Sequence, residues 1–283
     1  MPRSLTEPQI VAYRRDGYLA PLPVMGAAEA SALRAKLEAI EAGTGGPLRG
    51  DLRHKAHLLF PFLAELIRHP AILDPVADLL GPDLLCWNTN FFIKEAETPS
   101  FVSWHQDSTY WGLSAPDVCT AWVALTPSNL DNGAMAVIPA SHTMDQIPHR
   151  DTFDRHNLLT RGQEVAVEVD ESAAVPLILQ PGEMSLHHVR LVHGSPPNPS
   201  HERRIGFAIR YIPTSIYQLE GSDSATLVRG EDRFGHFELE PRPARDMQDD
   251  MLALHRRLTE RAAQILYRGT GVDNFNDPRA VRG

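Results

Sequence analysis

The sequence has little cysteine, no long apolar run and no excess of positive charge, and each absence excludes a class of protein. Cys86 and Cys119 are the only cysteines in 283 residues, too few for a disulfide framework or a cysteine zinc site. Both lie in apolar, strand-like stretches, so we expect buried free thiols. No stretch approaches the roughly 20 apolar residues of a membrane span. The N-terminus lacks the apolar core of a signal peptide, so we expect a cytoplasmic protein without a membrane partner.

The charge of the chain also argues against a nucleic-acid partner. Lysine and arginine total 27, against 36 aspartates and glutamates, which gives a formal net charge of −9. Binding to phosphates requires a basic face, and here the basic residues are scattered. The suggestive feature of the composition is its 13 histidines, most of which we expect to be structural or at the surface.

Hydrophobic periodicity predicts helices at both ends of the chain. Thr6 and Gln9 have the form of a capping box, and Gly17 stands where the first helix should end. A second helical stripe should end at Gly43. Shorter helices are predicted near residues 63–68 and 72–80. We therefore expect residues 1–82 to be mainly helical and residues 243–268 to form a C-terminal helix.

The middle of the chain predicts a β structure. Short segments rich in β-branched or aromatic residues alternate with turn residues, at 84–94, 118–126, 134–138, 165–169, 175–179 and 205–212. Many short strands of this kind favour a barrel or double-sheet roll. We expect one domain over residues 1–283, mainly β with flanking helices, with its core at 84–213. The polar stretch 141–161 is interpreted as a long loop or partly helical insertion.

His105 and Asp107 form the first candidate metal-binding pair. Residues two apart on an extended segment point to the same side, so both can reach one ion. With a second histidine from elsewhere they would complete the two-histidine, one-carboxylate set of non-haem iron(II) oxygenases, which leaves coordination positions open.

The second candidate cluster begins at His193, just before Gly194 and Ser195. Arg204 follows eleven residues later, at the start of the next strand. Arginine suits a buried carboxylate because it stays charged and offers a two-pronged donor. A strand–turn–strand path would bring Arg204 back beside His193. His187 and His188 are rivals for the third ligand position, and they fit the spacing to Arg204 less well.

Several motifs together resemble the phytanoyl-CoA dioxygenase family of iron(II)- and 2-oxoglutarate-dependent oxygenases. They lie in the expected order: Trp104-His105-Gln106-Asp107, Trp122-Val123-Ala124-Leu125, Asp131-Asn132-Gly133, Ile138-Pro139-Ala140-Ser141-His142, Pro181-Gly182-Glu183, His193-Gly194-Ser195 and Arg204. The resemblance covers roughly residues 87–213. Ala140 departs from it, because relatives commonly have glycine there.

The resemblance implies a double-stranded β-helix, a jelly-roll or cupin-like fold, with iron(II) and 2-oxoglutarate. His105, Asp107 and His193 would bind the metal, and Arg204 would hold the distal carboxylate of 2-oxoglutarate. Ser195 and Trp122 would line the co-substrate pocket. The expected reaction uses dioxygen to hydroxylate a small molecule and releases succinate and carbon dioxide. Halogenating relatives have a small residue in place of the carboxylate, so Asp107 favours hydroxylation.

Two other functions remain open from the sequence. A cupin-like protein could use the same ligands to hold zinc or manganese for non-redox chemistry. A non-catalytic binding protein could have kept the scaffold alone. The spacing of Arg204 argues against the first, and the intact ligand set argues against the second.

Candidate substrate contacts lie near the predicted metal centre. They are Asn88, Asn90 and Lys94 on one strand, Tyr110 and Trp111 after the metal-binding segment, and Arg210. Aromatic residues in strands are more often core than ligand contacts. Arg203, next to Arg204, is expected to face solvent.

Overall fold

The structure is a computed structural model that describes residues 4–277. Its α-helices are α1 Glu7–Asp16, α2 Ala27–Thr44, α3 Pro61–Leu66, α4 Pro70–Leu80 and α5 Asp249–Leu266. Its strands are β1 Tyr18–Pro23, β2 Leu84–Lys94, β3 Val102–His105, β4 Cys119–Ala124, β5 Ala136–Val137, β6 His149–Asp151, β7 Gln163–Val165, β8 Val175–Pro176, β9 Glu183–His188, β10 His193–Ser195, β11 Arg204–Pro213, β12 Ser224–Arg229 and β13 Glu238–Leu239. Short 3-10 helices lie at Gly50–Arg53, Ala56–Leu58, Asp107–Tyr110, Leu130–Asn132, Ser141–Thr143 and Glu171–Ala173.

Two main sheets form the β core. The larger has the order β1-β9-β4-β11-β2-β12-β13, and the smaller has the order β3-β10-β5-β8. Neighbouring strands are antiparallel except for β12 and β13, which are parallel. A separate pair joins β6 to β7. The mainly β class expected from the sequence is therefore confirmed.

The larger sheet has one apolar and one mixed face, and strand β11 illustrates both. Ile205, Phe207 and Ile209 belong to a core cluster that also contains residues of α1 to α4. Because successive side chains on a strand alternate between faces, Arg204 and Arg210 lie on the opposite side, where both line a pocket. The helices therefore cover one face of the sheet and leave the other for the site.

The caps of the first helix were predicted correctly. Thr6 and Gln9 form a reciprocal capping box, and Gly17 ends α1 in the left-handed conformation, with φ 84°. The second helix continues past the predicted end at Gly43. It ends at Thr44, and the left-handed residue is Gly45, with φ 87°. A glycine stops a helix only where the backbone adopts this conformation.

Strand β1 interrupts the region that was expected to be mainly helical. It pairs only with β9, at the edge of the larger sheet. Its sequence contains Pro21 and Pro23, and proline has no N–H to donate to a second neighbour. Proline is therefore accepted at an edge strand, although it resembles a break between helices when the sequence is read alone.

Other strands differ from the prediction because their sequences are not uniformly apolar. Strand β9 was missed, since Ser185, His187 and His188 hide its alternation. The strand predicted at 165–169 lies instead at Gln163–Val165, where it pairs with β6. The stretch 141–161 contains one 3-10 turn and strand β6. By contrast, the bounds 84–94 of β2 were predicted correctly.

Three further expectations concern individual residues and the membrane. Both cysteines are buried and free, as predicted. Arg203 does not simply face solvent: its guanidinium pairs with Glu41 at 2.6 Å and with Glu95 at 2.9 Å. That prediction was wrong because a helix, α2, covers this side of the strand. No helix within residues 4–277 has the length and apolar character needed to cross a membrane.

Candidate active site

Strand pairing in the smaller sheet brings the three predicted metal ligands together. His105 ends β3, and Asp107 begins the 3-10 helix two residues later. His193 begins β10 and is the direct cross-strand partner of His105. One ligand atom from each of the three buried residues can be chosen so that all lie within 4.8 Å of one another. The side chains line a pocket between the two sheets.

Backbone carbonyls fix the orientation of both imidazoles. Nδ1 of His105 lies 2.9 Å from the carbonyl oxygen of Ser103, and Nδ1 of His193 lies 2.9 Å from that of Leu191. A carbonyl can only accept, so Nδ1 carries the proton and Nε2 carries the lone pair in each ring. Nε2 of His105 is buried without a hydrogen-bond partner. This is the tautomer and orientation that a metal-binding histidine requires.

Asp107 is held in its charged form. Burial by itself would raise the pKa of this carboxyl, but the adjacent imidazole of His105 and the positive charge of Arg210 outweigh burial and hold the pKa well below its usual range. Oδ1 of Asp107 lies 3.3 Å from Nε2 of His105. Two imidazole nitrogens and a carboxylate oxygen thus lie within 4.8 Å of one another, a donor set that fits a divalent cation such as iron(II).

A pair of buried cations lies in the same region of the interior. Arg204 on β11 is the cross-strand partner of Lys94 on β2. Burial lowers the pKa of Arg204 to about 10, and burial together with the charge of Arg204 lowers the pKa of Lys94 to about 6. Within residues 4–277 neither side chain is ion-paired with a carboxylate. Two buried cations without a counter-ion fit the carboxylate of a ligand.

Neutral oxygens supply the present hydrogen bonds of this cation pair. Nζ of Lys94 donates to Oγ of Ser195 at 2.7 Å and also to the carbonyl oxygen of Pro196. Both cations donate to the carbonyl oxygen of Gly133. Nε of Arg204 has no partner. The predicted co-substrate residues Arg204 and Ser195 are therefore close together, and Lys94 joins them although the sequence placed it among the substrate contacts.

Trp122 covers the arginine from the next strand. The guanidinium carbon of Arg204 lies 5.5 Å from the centroid of the Trp122 ring. The indole lies against Gly206, where a Cβ atom would be 1.8 Å from Cζ2 of the ring. Only a glycine accepts this contact, so Gly206 allows Trp122 to line the pocket. The family motifs predicted Trp122 in the pocket, whereas no sequence signal pointed to Gly206.

We expect Gly206→Ala to destabilise the protein by about 1–3 kcal/mol, because the new methyl group must displace the indole. Urea denaturation measures this change. Gly43→Ala is the matched control: nothing lies within 4 Å of a Cβ there, and alanine in a helix should stabilise by about 0.5–1 kcal/mol. Equal stability of the Gly206→Ala variant and the wild type would contradict the close contact.

Comparison with known proteins decides the family. The phytanoyl-CoA dioxygenase (PhyH) family matches residues 13–206, which is more than half of the chain. The chain belongs to the phytanoyl-CoA dioxygenase family. The matched segment contains all three candidate metal ligands and Arg204, so the resemblance inferred from the motifs is confirmed.

Members related to this chain carry names of oxygenases. A probable alpha-ketoglutarate-dependent hypophosphite dioxygenase of Stutzerimonas stutzeri is 31% identical over 169 residues, which are 58% of this chain and 58% of that protein. An L-proline trans-4-hydroxylase of Streptomyces griseoviridis is 26% identical over 71% of this chain and 84% of its own length. The chain spans less than two thirds of the hypophosphite dioxygenase, and the names of both relatives agree with the predicted reaction class.

A solved structure extends the similarity over almost the whole chain. The non-heme monooxygenase ThoJ, in its apo form, superposes with a TM-score of 0.82 and 36% identity, covering 91% of this chain and 97% of ThoJ. The double-stranded β-helix predicted for the family is confirmed as the fold.

The remaining predicted substrate residues do not form one group. Arg210 lines the pocket, and its guanidinium donates to Oδ1 of Asn90 at 3.2 Å. Asn90 also contacts His54. Trp111 packs on Trp87, with ring centroids 4.9 Å apart, and on Arg210. Of these residues, Arg210 alone lines the pocket directly.

Tyr110 and Asn88 lie outside the immediate lining of the pocket. The Tyr110 ring stacks under Arg161, whose guanidinium carbon is 3.7 Å from its centroid. Burial and Asp151 raise the pKa of Tyr110 to about 12. Asn88 is the cross-strand neighbour of Arg210, and its Oδ1 is buried without a partner.

The rival histidines occupy different positions. His187 lines the pocket, with its ring 5.0 Å from that of His193, and burial lowers its pKa to about 4. His188 points elsewhere, toward His142 at 5.2 Å. Neither belongs to the group of potential metal ligands found among the described residues. Ala140, the departure from the family motif, has φ 63°, a conformation that favours the glycine of its relatives.

Proposed function

We propose that this chain is an iron(II)- and 2-oxoglutarate-dependent dioxygenase that hydroxylates an unactivated C–H bond of a small molecule. Its partners would be dioxygen, 2-oxoglutarate and that substrate. The observation that carries the proposal is that one pocket is lined by a two-nitrogen, one-carboxylate ligand set and by Arg204, which forms with Lys94 a buried cation pair without a counter-ion.

The residues would divide the work as follows. His105, Asp107 and His193 would hold iron(II) on one side and leave the rest of its coordination sphere to ligands. Arg204 and Lys94 would hold the distal carboxylate of 2-oxoglutarate, with Ser195 hydrogen-bonded to Lys94 and Trp122 against the carbon chain. The chemistry that such a centre supplies when bound is oxidative decarboxylation of the oxo acid, coupled to oxidation of a substrate C–H bond.

The surrounding protein would orient the ligands and exclude water. The carbonyls of Ser103 and Leu191 keep Nε2 of both histidines free of protons, so neither imidazole has to change its tautomer to bind a metal. Burial of Arg204 strengthens its attraction for a carboxylate. The carboxylate of Asp107 fills the position that is vacant in halogenating relatives, which favours hydroxylation. The cytoplasmic location and the absence of a nucleic-acid partner stay predictions.

The test is an anaerobic titration of the purified protein with iron(II) and then with 2-oxoglutarate, followed by visible absorption. We expect a weak metal-to-ligand charge-transfer band that neither component gives alone. Metal binding without this band would favour the non-redox alternative. Folded protein that binds no metal would favour the non-catalytic one.

A further inference from the structure

One row of side chains crosses the pocket face of the larger sheet. Arg210 on β11 is the cross-strand partner of Thr120 on β4, and Thr120 is the partner of His187 on β9. On the other side of β11, Arg210 is paired with Asn88 on β2. Directly paired residues point to the same face of a sheet. We call these four residues the polar row.

Every member of the polar row is buried and has a side-chain atom without a partner. These atoms are Oδ1 of Asn88, Nε of Arg210, Oγ1 of Thr120 and Nδ1 of His187. Each of the four residues is 8% exposed or less. A buried polar atom without a hydrogen bond costs free energy, and native proteins contain few of them. Four in one row, three of them on residues that line the pocket, indicate a place for a polar ligand.

The charge and setting of Arg210 identify the kind of ligand. Its guanidinium carbon lies 5.2 Å from the centroid of Trp111 and 5.8 Å from that of Phe92. These rings restrict the guanidinium without neutralising it. Asp107 is the carboxylate that acts on Arg210 electrostatically, yet the two form no ion pair among the residues described. A positively charged group with hydroxyl and imidazole neighbours suits a small anion.

The proposed metal centre and its co-substrate offer no negative charge that would neutralise Arg210. Iron(II) carries two positive charges, Asp107 one negative charge, 2-oxoglutarate two negative charges, and Arg204 and Lys94 one positive charge each. The sum is already one positive charge before Arg210 is counted. Arg210 is six residues along β11 from Arg204, and two cross-strand pairs, Gly206 with Ala124 and Ala208 with Trp122, lie between them. The polar row is therefore separate from the cation pair that would hold the co-substrate.

We infer that the polar row is the recognition site for an anionic group of the substrate, such as a carboxylate or a phosphonate, held by Arg210 with Thr120 and His187. The inference rests on the proposed function and specifies its substrate class. The anion would sit beside His187, whose ring is in contact with that of His193. The substrate would thus be anchored by its charged end close to the metal centre.

The test uses propionate as the anionic probe and propionamide as its neutral isostere. Each is titrated calorimetrically, at constant ionic strength and without oxygen, into the full-length protein loaded with manganese(II) and saturating 2-oxoglutarate. Saturating 2-oxoglutarate keeps the probe away from Arg204 and from the metal positions that the oxo acid occupies. We expect propionate to bind and propionamide to bind at least about tenfold more weakly, since it lacks the charge.

Three variants test whether propionate binds at the polar row. Arg210→Gln should weaken the binding of propionate by about tenfold or more. Thr120→Val removes only an unpartnered hydroxyl, so this variant should fold normally. It should weaken the binding of propionate between about two- and twelvefold. Arg53→Gln, the matched control, removes a buried guanidinium that does not line this pocket and should leave propionate binding unchanged.

Three outcomes would overturn the inference. One is equal binding of the two probes, and another is unchanged propionate binding in both the Arg210 and Thr120 variants. The third is an Arg210→Gln variant in which the affinity for 2-oxoglutarate falls as much as the affinity for propionate, because the polar row would then bind the co-substrate. Failure of the proposed function shows separately, as no heat of 2-oxoglutarate binding to the wild type. Propionate titrated without 2-oxoglutarate then tests the polar row in the same way.

Discussion

Replacing Arg204 with glutamine is expected to weaken 2-oxoglutarate binding by between about thirtyfold and a few thousandfold. Truncating one partner of a buried, hydrogen-bonded charge pair costs about 2–5 kcal/mol, and each 1.4 kcal/mol is about tenfold in affinity. Lys94 would remain and retain part of the attraction. Anaerobic calorimetry with 2-oxoglutarate and the metal-loaded protein measures the change, and metal affinity should stay within about threefold.

Arg203→Gln is the control for this substitution. The residue is adjacent in sequence but pairs with Glu41 and Glu95 on the opposite side of the strand. Its replacement should lower stability and leave the affinity for 2-oxoglutarate unchanged. Equal weakening by both substitutions, or equal loss of metal and 2-oxoglutarate binding in Arg204→Gln, would contradict the proposed role of Arg204.

Replacing His193 with alanine is expected to lower metal affinity by more than about a hundredfold and to remove detectable turnover. Loss of a group that merely supports a ligand costs about 10–100-fold, and loss of the ligand itself should cost more. Metal content after anaerobic reconstitution and dialysis measures the first effect. Succinate formation, once a substrate is available, measures the second. Circular dichroism checks that the variant is folded.

His188→Ala is the matched control, because this histidine was a rival for the same role. It lies five residues before His193 and turns toward His142 rather than toward Asp107. The variant should bind metal like the wild type. A His193→Ala protein that keeps its metal while His188→Ala loses it would reverse the ligand assignment.

Much of the fold could be predicted from local sequence. The capping box of Thr6 and Gln9, the glycine after α1 and the full length of β2 were all predicted correctly, because each depends on residues close together in the chain. Strand β1 was not predicted, since Pro21 is tolerated only because the strand lies at a sheet edge. Strand β9 was missed because alternate residues face a polar pocket instead of a second apolar layer.

The sequence by itself determined which metal-binding and carboxylate-binding residues are present. His105 and Asp107 have a spacing that lets both reach one ion, and an arginine follows a histidine by eleven residues. It also determined the family, through motifs in a fixed order. Only the tertiary structure decided that His193, rather than His187 or His188, lies beside His105, that Lys94 joins Arg204, and that Arg210, Thr120 and His187 share a row. These outcomes depend on the register between strands far apart in the chain, and a shift of one residue would turn each side chain to the other face.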